Sequence, residues 1–599
     1  MKQLIPFVLA LNLHAASPTD GFLKTADQLL NQKGKVAEAK RLHALFDADW
    51  QYSMTEFPES ATWRGVVGQN HRWTDYSVES VAQRKQVTRT TLAVLKSISR
   101  TKLKPADQLN FDLFLRGQTV ADAGNKFPSH LLLISQMDGL QRSAASMLRM
   151  MPARKTTDYE DILARLRGTE KLVAQTIDLL NVGLKMRITP PKVCLRNLGE
   201  QVAKQLTDKP LDSPLLQTFR DFPASISKAD QTRLRADAIA VYKKHTAPAF
   251  RRLHKFLTER YIPNCRESIA CGALPNGKAW YQHQIYSSTT TDLTPKQIHA
   301  IGLSEVKRIR AEMEKIKTQT GFKGSLTEFF KFLRTDKQFY YERGTQLLAG
   351  YRDISKRADP ELIKLFGHLP RQPYGVRPVP SYIERSVTTA YYQPGSTTAA
   401  RPGYFYANTY NLAVRPKWEM EALTLHEAVP GHHLQLAIAD ELTGLPTFRK
   451  YARYTAYVEG WALYAESLGT EMGFYKDPYS KFGQLTYEMW RAIRLVVDTG
   501  MHALGWSRQR AIDYFKTNAG KTEHDIIVEV DRYIVWPGQA LAYKMGELKI
   551  KSLRARVEKV LGDKFDIRGF HDELLRHGAI PLSILETQVE AWITRQAAK

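Results

Sequence analysis

The stretch Leu423-Thr424-Leu425-His426-Glu427-Ala428-Val429-Pro430-Gly431-His432-His433-Leu434-Gln435 sets imidazoles and a carboxylate in an otherwise apolar run. Two imidazoles on one helical face bind a divalent ion, and a glutamate between them handles the proton of an attacking water. Here the position four after His426 is Pro430, which cannot be a ligand. In a regular helix His432 would lie roughly 240° around from His426, facing away from any shared ion. Regularity must therefore fail. Pro430 lacks an N–H, and its ring collides with the His426 carbonyl, while Gly431 opens backbone angles closed to other residues. If two residues bulge out, His432 arrives where an i+4 ligand would stand. His433 would share the His426 face but sit ~10 Å along the axis, too far for two bonds of ~2.1 Å to one ion. The expected ligands are thus His426 and His432, with His433 the alternative and Glu427 the general base. The plain alternative is a kinked helix whose histidines make core hydrogen bonds.

A catalytic zinc usually takes three protein ligands and keeps one position for water. Tyr457-Val458-Glu459-Gly460-Trp461-Ala462-Leu463-Tyr464-Ala465-Glu466, helical in pattern, offers Glu459. Its Glu-Gly-aromatic-Ala order resembles the element that carries the third ligand in gluzincin aminopeptidases. Gly460 would let this helix approach the metal helix closely. Glu466, two turns on, is the alternative ligand or a partner holding an imidazole N–H; a salt bridge is the plain reading. One Zn2+ is the cofactor these residues imply.

These segments must be positioned by a large body. The 599 residues are 43% hydrophobic and 25% charged, which excludes collagen-like, low-complexity and disordered classes. The net charge of +25 draws anionic partners, but the basic residues are spread along the chain with no base-reading module. That pattern predicts a solvated basic surface and no specific nucleic-acid partner. Residues 1–16 read as a signal peptide, and no later run is long and apolar enough for a membrane span. A periplasmic or secreted protein is expected. Cys265 and Cys271 are spaced for either a small loop disulfide or two buried thiols.

Residues 17–260 are dense in helical periodicity, as in Ile162, Leu163, Leu166, Val173, Ile177 and Leu180. Residues 263–295 read as a loop-rich connector with a turn at Pro275-Asn276-Gly277. Thr294-Pro295-Lys296-Gln297 is a capping box opening a helix with Leu303, Val306, Ile309, Met313 and Ile316 on one face. Residues 370–416, with Tyr391-Tyr392 and Tyr404-Phe405-Tyr406, read as a short strand or hairpin, after which helices resume. Residues 261–599 are the expected catalytic region, expected to form one continuous catalytic body with the N-terminal helices.

His-Glu-x-x-Pro-Gly-His with Glu-Gly-Trp-Ala-Leu-Tyr-Ala-Glu resembles the DUF885 family of bacterial proteins, regarded as gluzincin-type metallopeptidases. Arg401-Pro402-Gly403-Tyr404-Phe405, Arg494-Leu495-Val496-Val497-Asp498-Thr499-Gly500 and Pro537-Gly538-Gln539-Ala540-Leu541-Ala542-Tyr543-Lys544 resemble family patterns too. The resemblance implies a mainly α, multi-helix gluzincin-like fold with a deep channel over the zinc and a short strand beside it. That strand, Tyr404 to Asn408, would pair with an extended peptide. Tyr543, His502 and Arg494 are the candidate donors to the developing oxyanion. Their plain alternatives are a packing tyrosine, an interior histidine, and an arginine paired with Asp498. The implied activity is zinc-dependent hydrolysis of short peptides. Two other readings compete: a non-catalytic binder of peptides or anionic polymers, and a zinc hydrolase of other amides or esters. Substrate preference and oligomeric state are not written in these residues.

Overall fold

The computed structural model describes residues 17–380, 384, 388–397 and 400–598. The expected signal segment, residues 1–16, lies outside them. The described residues are mainly helical, with one three-stranded sheet. The chain divides into two units. The first runs to Thr189 and takes in Arg196–Asn264; the second is Pro190–Leu195 with Cys265 onward.

The first unit is all helical. Its longest element, Thr156–Met186, buries Ile162, Leu163, Leu166, Val173 and Leu180, the apolar stripe that spacings of three and four dictate.

In the second unit the stretch expected as a connector is largely a helix, α1 (Gly277–Thr289). Asn276 sits in the left-handed region at φ 54° directly before it, so the turn signal opens a helix. Helix α2 (Pro295–Gln319) begins with the capping box: Thr294 Oγ1 accepts from the Gln297 N–H at 3.3 Å, and Gln297 accepts from the Thr294 N–H at 2.9 Å. Its buried stripe is Ile298, Gly302, Val306, Ile309 and Met313. Leu303, expected on that face, is 44% exposed, because it lies about 100° around from Gly302.

After helix α3 (Gly344–Ala358) comes the sheet of β1 (Tyr374–Pro378), β2 (Ala390–Gln393) and β3 (Gly403–Ala407), in the order β1-β3-β2. β3 pairs parallel with β1, Val376 opposite Phe405, and antiparallel with β2, Tyr392 opposite Phe405. Then follow α4 (Met420–Glu427), α5 (His432–Glu441), α6 (Thr455–Leu468), α7 (Pro478–Ala503), α8 (Glu523–Val535) and α9 (Ala542–Leu561).

Helix α7 is the spine of this unit. It is buried almost throughout, packs along α2 where Gly302 meets Leu495 and Val496, and feeds Phe482, Leu485, Met489, Ile493 and Val497 into an aromatic-rich core. A second close crossing joins α6 and α9 at Gly460 and Gly546, which meet backbone to backbone. Cys194, Cys265 and Cys271 are buried thiols, so of the two alternatives for the close pair the structure shows the buried thiols and not the disulfide.

Candidate metal centre

At the break the helix does not bulge; it ends. Helix α4 stops at Glu427, residues 428–431 form a turn with a cis Val429-Pro430 bond, and α5 starts at His432. The His433 N–H reaches back to the Ala428 carbonyl at 3.0 Å, which closes the turn tightly. Gly431 is required by space, because a Cβ there would collide with the His426 and Leu425 carbonyl oxygens. The turn is clamped from α6, whose Trp461 donates its indole N–H to the Pro430 carbonyl at 2.9 Å.

This local geometry gathers His426, His432 and Glu459. One ligand atom from each lies within 4.8 Å of the others. His426 Nε2 is 3.7 Å and His432 Nε2 3.5 Å from Glu459 Oε2, and the two rings meet edge-on with centroids 4.8 Å apart. Two imidazole nitrogens and a carboxylate oxygen are the donor set found in hydrolytic zinc sites, where water takes the fourth position. The fit extends outward. His426 donates Nδ1–H to Glu466 Oε1 at 2.7 Å, which fixes the tautomer and turns Nε2 inward. Glu466 is wholly buried and has Arg491 Nη2 3.6 Å away.

The electrostatics of the cluster are set by the mutual attraction of its imidazoles and carboxylates. Burial disfavours the His426 cation, yet the Glu459 and Glu466 carboxylates overcome it and raise its pKa to about 9. Burial would likewise push Glu459 up, but the two imidazoles hold its carboxyl well below the ordinary range. Glu427, 9% exposed, follows His426 directly, and among the described residues its carboxylate has no hydrogen-bond or ion-pair partner. A free carboxylate beside a three-donor cluster can take and return protons.

The remaining expected residues separate. His433 turns away from the cluster, accepting from the Tyr392 hydroxyl at 2.8 Å and packing on Tyr374; burial lowers its pKa to about 4. Tyr404 does not sit on a free strand edge. β3 is the central strand, so its backbone groups are already paired, and the Tyr404 ring is covered by the Arg377 guanidinium 3.8 Å from its centroid. Asn408 is a loop clamp: its amide donates to the Glu384 carbonyl at 2.7 Å and the Thr388 carbonyl at 3.1 Å. The outer strand beside α4 is β2.

His502 does not fit an oxyanion donor. Its Nδ1 accepts from the Cys271 N–H at 3.0 Å and its Nε2–H donates to the Tyr533 carbonyl at 2.9 Å, so both nitrogens are spent on backbone. Arg494 does not pair with Asp498, which takes the Tyr281 hydroxyl and the Gly538 N–H instead. Its guanidinium reaches Glu529 at 3.1 Å and Tyr533, and lies 4.5 Å from the centre of the half-buried Tyr543 ring. Burial and the Glu459 carboxylate push the Tyr543 phenol up. Gly460 serves the α9 crossing, not an approach to α4. Sequence reasoning missed Trp461 as the clamp on the break and Arg491 behind Glu466. Arg491 stands one turn before Arg494, a spacing that could have marked a shared face.

No curated protein matches the sequence. Among solved structures, a protein of Colwellia psychrerythraea described as a putative lipoprotein aligns at TM-score 0.86 and 28% identity, covering 94% of this chain and 100% of its own. One from Shewanella oneidensis, described as a putative lipoprotein of unknown function, aligns at TM-score 0.68 over 92% of this chain and 99% of its own; at 17% identity it shares the fold alone. The family model for bacterial proteins of unknown function, DUF885, matches residues 58–589, which spans both motif segments around His426 and Glu459. The chain therefore belongs to the DUF885 family.

Proposed function

We propose that this protein is a zinc metallopeptidase of gluzincin type that hydrolyses short peptides. The observation that carries the reading is the convergence of His426, His432 and Glu459 beside the unengaged carboxylate of Glu427. His426, His432 and Glu459 would hold the ion, whose chemistry is Lewis-acid polarisation and a lowered pKa for water. Glu427 takes the proton of the attacking water and returns it to the leaving amine. Glu466 keeps the His426 ring oriented and its Nδ1 protonated. Of the three candidate oxyanion donors Tyr543 and Arg494 remain, since His502 is fully engaged. An extended peptide would lie along β2, the outer strand beside α4.

Among the described residues no helix is long and apolar enough to cross a membrane. The descriptions of the two structural relatives support an envelope or extracellular setting, periplasmic or secreted. The test is Glu427→Gln in the zinc-loaded protein. Cleavage of a mixed peptide pool should fall at least ~100-fold, the scale of general-base catalysis, while zinc content stays at one ion per chain. Undiminished turnover would overturn the assignment of Glu427, and a wild-type protein that cleaves only esters or non-peptide amides would replace the substrate class.

A further inference from the structure

Helix α7 presents two arginines one turn apart, the first of which reaches the metal cluster through one intermediary. Arg491 approaches Glu466, which holds His426. Arg494, three residues on, lies with its guanidinium 4.5 Å from the centre of the Tyr543 ring. Around Arg494 the charges do not balance. Arg494 and Arg532 share a single carboxylate, Glu529: Arg532 holds it through Nε at 3.2 Å and Nη2 at 3.0 Å, Arg494 through Nη2 at 3.1 Å, and Tyr533 also donates to it. Arg532 spends Nη1 on Gln539 at 2.7 Å, and Arg494 spends Nε on Tyr533 at 3.0 Å. Arg494 Nη1 is left buried with no partner, on a side chain 8% exposed. Two guanidinia against one carboxylate leave one positive charge and one unmade charge-assisted hydrogen bond in a desolvated place, which is costly unless an anion completes it.

We propose that Arg494, backed by Arg532, anchors a substrate carboxylate, so that the peptidase reading on which this rests becomes that of a carboxypeptidase acting near a free C-terminus. The single unpartnered Nη1–H group suits one charge-assisted hydrogen bond to a carboxylate oxygen, and an ammonium has no acceptor to offer it. The same chemistry could come from an acidic side chain, so the two sources are tested separately.

Wild-type protein is first assayed with three forms of one peptide: a free C-terminal acid, its C-terminal amide, and the amide carrying a terminal Glu. The free acid should be preferred over the plain amide by about 10- to 100-fold in kcat/KM, mainly through KM, the scale of one charge-assisted bond. Equal cleavage of acid and amide overturns the anchor, and restoration by the Glu-amide reassigns it to an acidic side chain. Arg494→Gln should bring the acid-to-amide ratio within about threefold, whereas Arg494→Lys should keep part of it. An undiminished ratio in Arg494→Gln also overturns the proposal. A readout independent of turnover is calorimetric binding of an N-acetylated dipeptide acid and its amide to metal-free wild type and Arg494→Gln. Acid-selective binding lost in the variant supports the anchor even if no peptide is cleaved, and an absence of acid selectivity refutes it even if the protein proves an active peptidase.

Discussion

His432 and His433 are adjacent, yet they face opposite environments, and that difference should be measurable. His432 Nε2 lies 3.5 Å from Glu459, whereas His433 accepts from Tyr392 beside the sheet. His432→Asn should abolish stoichiometric zinc binding, while His433→Asn should retain one ion per chain and lose only packing; elemental analysis of both proteins decides between them. The reverse outcome would reassign the ligand. Glu466→Gln is a finer probe. It keeps the shape of the acceptor but removes the charge that supports His426 Nδ1–H at 2.7 Å, so zinc affinity measured by chelator competition should fall about 10- to 100-fold.

The break at Pro430 works only because two other elements hold it. Helix α6 supplies Glu459 toward the cluster, Trp461 to the Pro430 carbonyl and Glu466 to His426, and α6 is itself fixed by the crossing on α9. A Cβ at Gly546 would run into the Ala456 carbonyl oxygen and the Gly460 backbone, atoms that cannot step aside without moving α6. Gly546→Ala should therefore cost stability toward the upper end of about 1–3 kcal/mol and weaken zinc binding together with it. Chemical denaturation and metal titration of one sample check both; a destabilised protein with native zinc affinity would separate α6 from the centre. The clustering of His426 with His432 and the broken turn were legible in the sequence, because Pro430 forbids a regular helix and Gly431 opens the backbone there. The partners of Gly460, Arg494 and His502 were not. Gly460 signals close approach without saying to what, and Arg494 and Asp498 look paired at i, i+4 until residues far along the chain, Glu529 and Tyr281, claim them. The strand itself was legible, Tyr404 to Asn408 falling on β3 (Gly403–Ala407), but its central place was not, because that depends on β1 and β2, both set by distant segments.

Every residue of the candidate centre belongs to the second unit, which also buries neutral histidines and an ion-paired glutamate, and these set how the molecule responds to acid. Burial lowers the His502 pKa from 6.5 to about 4 and that of His571 to about 3. Each ring has one nitrogen accepting, from the Cys271 N–H and the Tyr464 hydroxyl respectively, and a proton there would break that bond. The unfolded chain takes up these protons near 6.5 and the folded one only near 4 and 3, so the unfolded state binds more protons throughout that window. Stability from these residues is complete above about 6.5 and declines as pH falls toward 4 and below. Glu529 acts lower down. Burial would raise its pKa, but Arg494 and Arg532 win and lower it from 4.5 to about 2, so its contribution is present above 4.5 and lost from there toward 2. The net charge of +25 adds self-repulsion of the same sign as acid is added. The two causes separate in salt, since surface repulsion is screened within a Debye length of about 3 Å at 1 M while the buried imidazoles are not. Melting temperatures should thus fall steadily from pH 7 to pH 4 even in 1 M salt, and the paired variant His502→Gln with His571→Gln should flatten that fall. A slope that vanishes in salt, or one the variant leaves intact, would place the acid sensitivity on the surface and not in these rings.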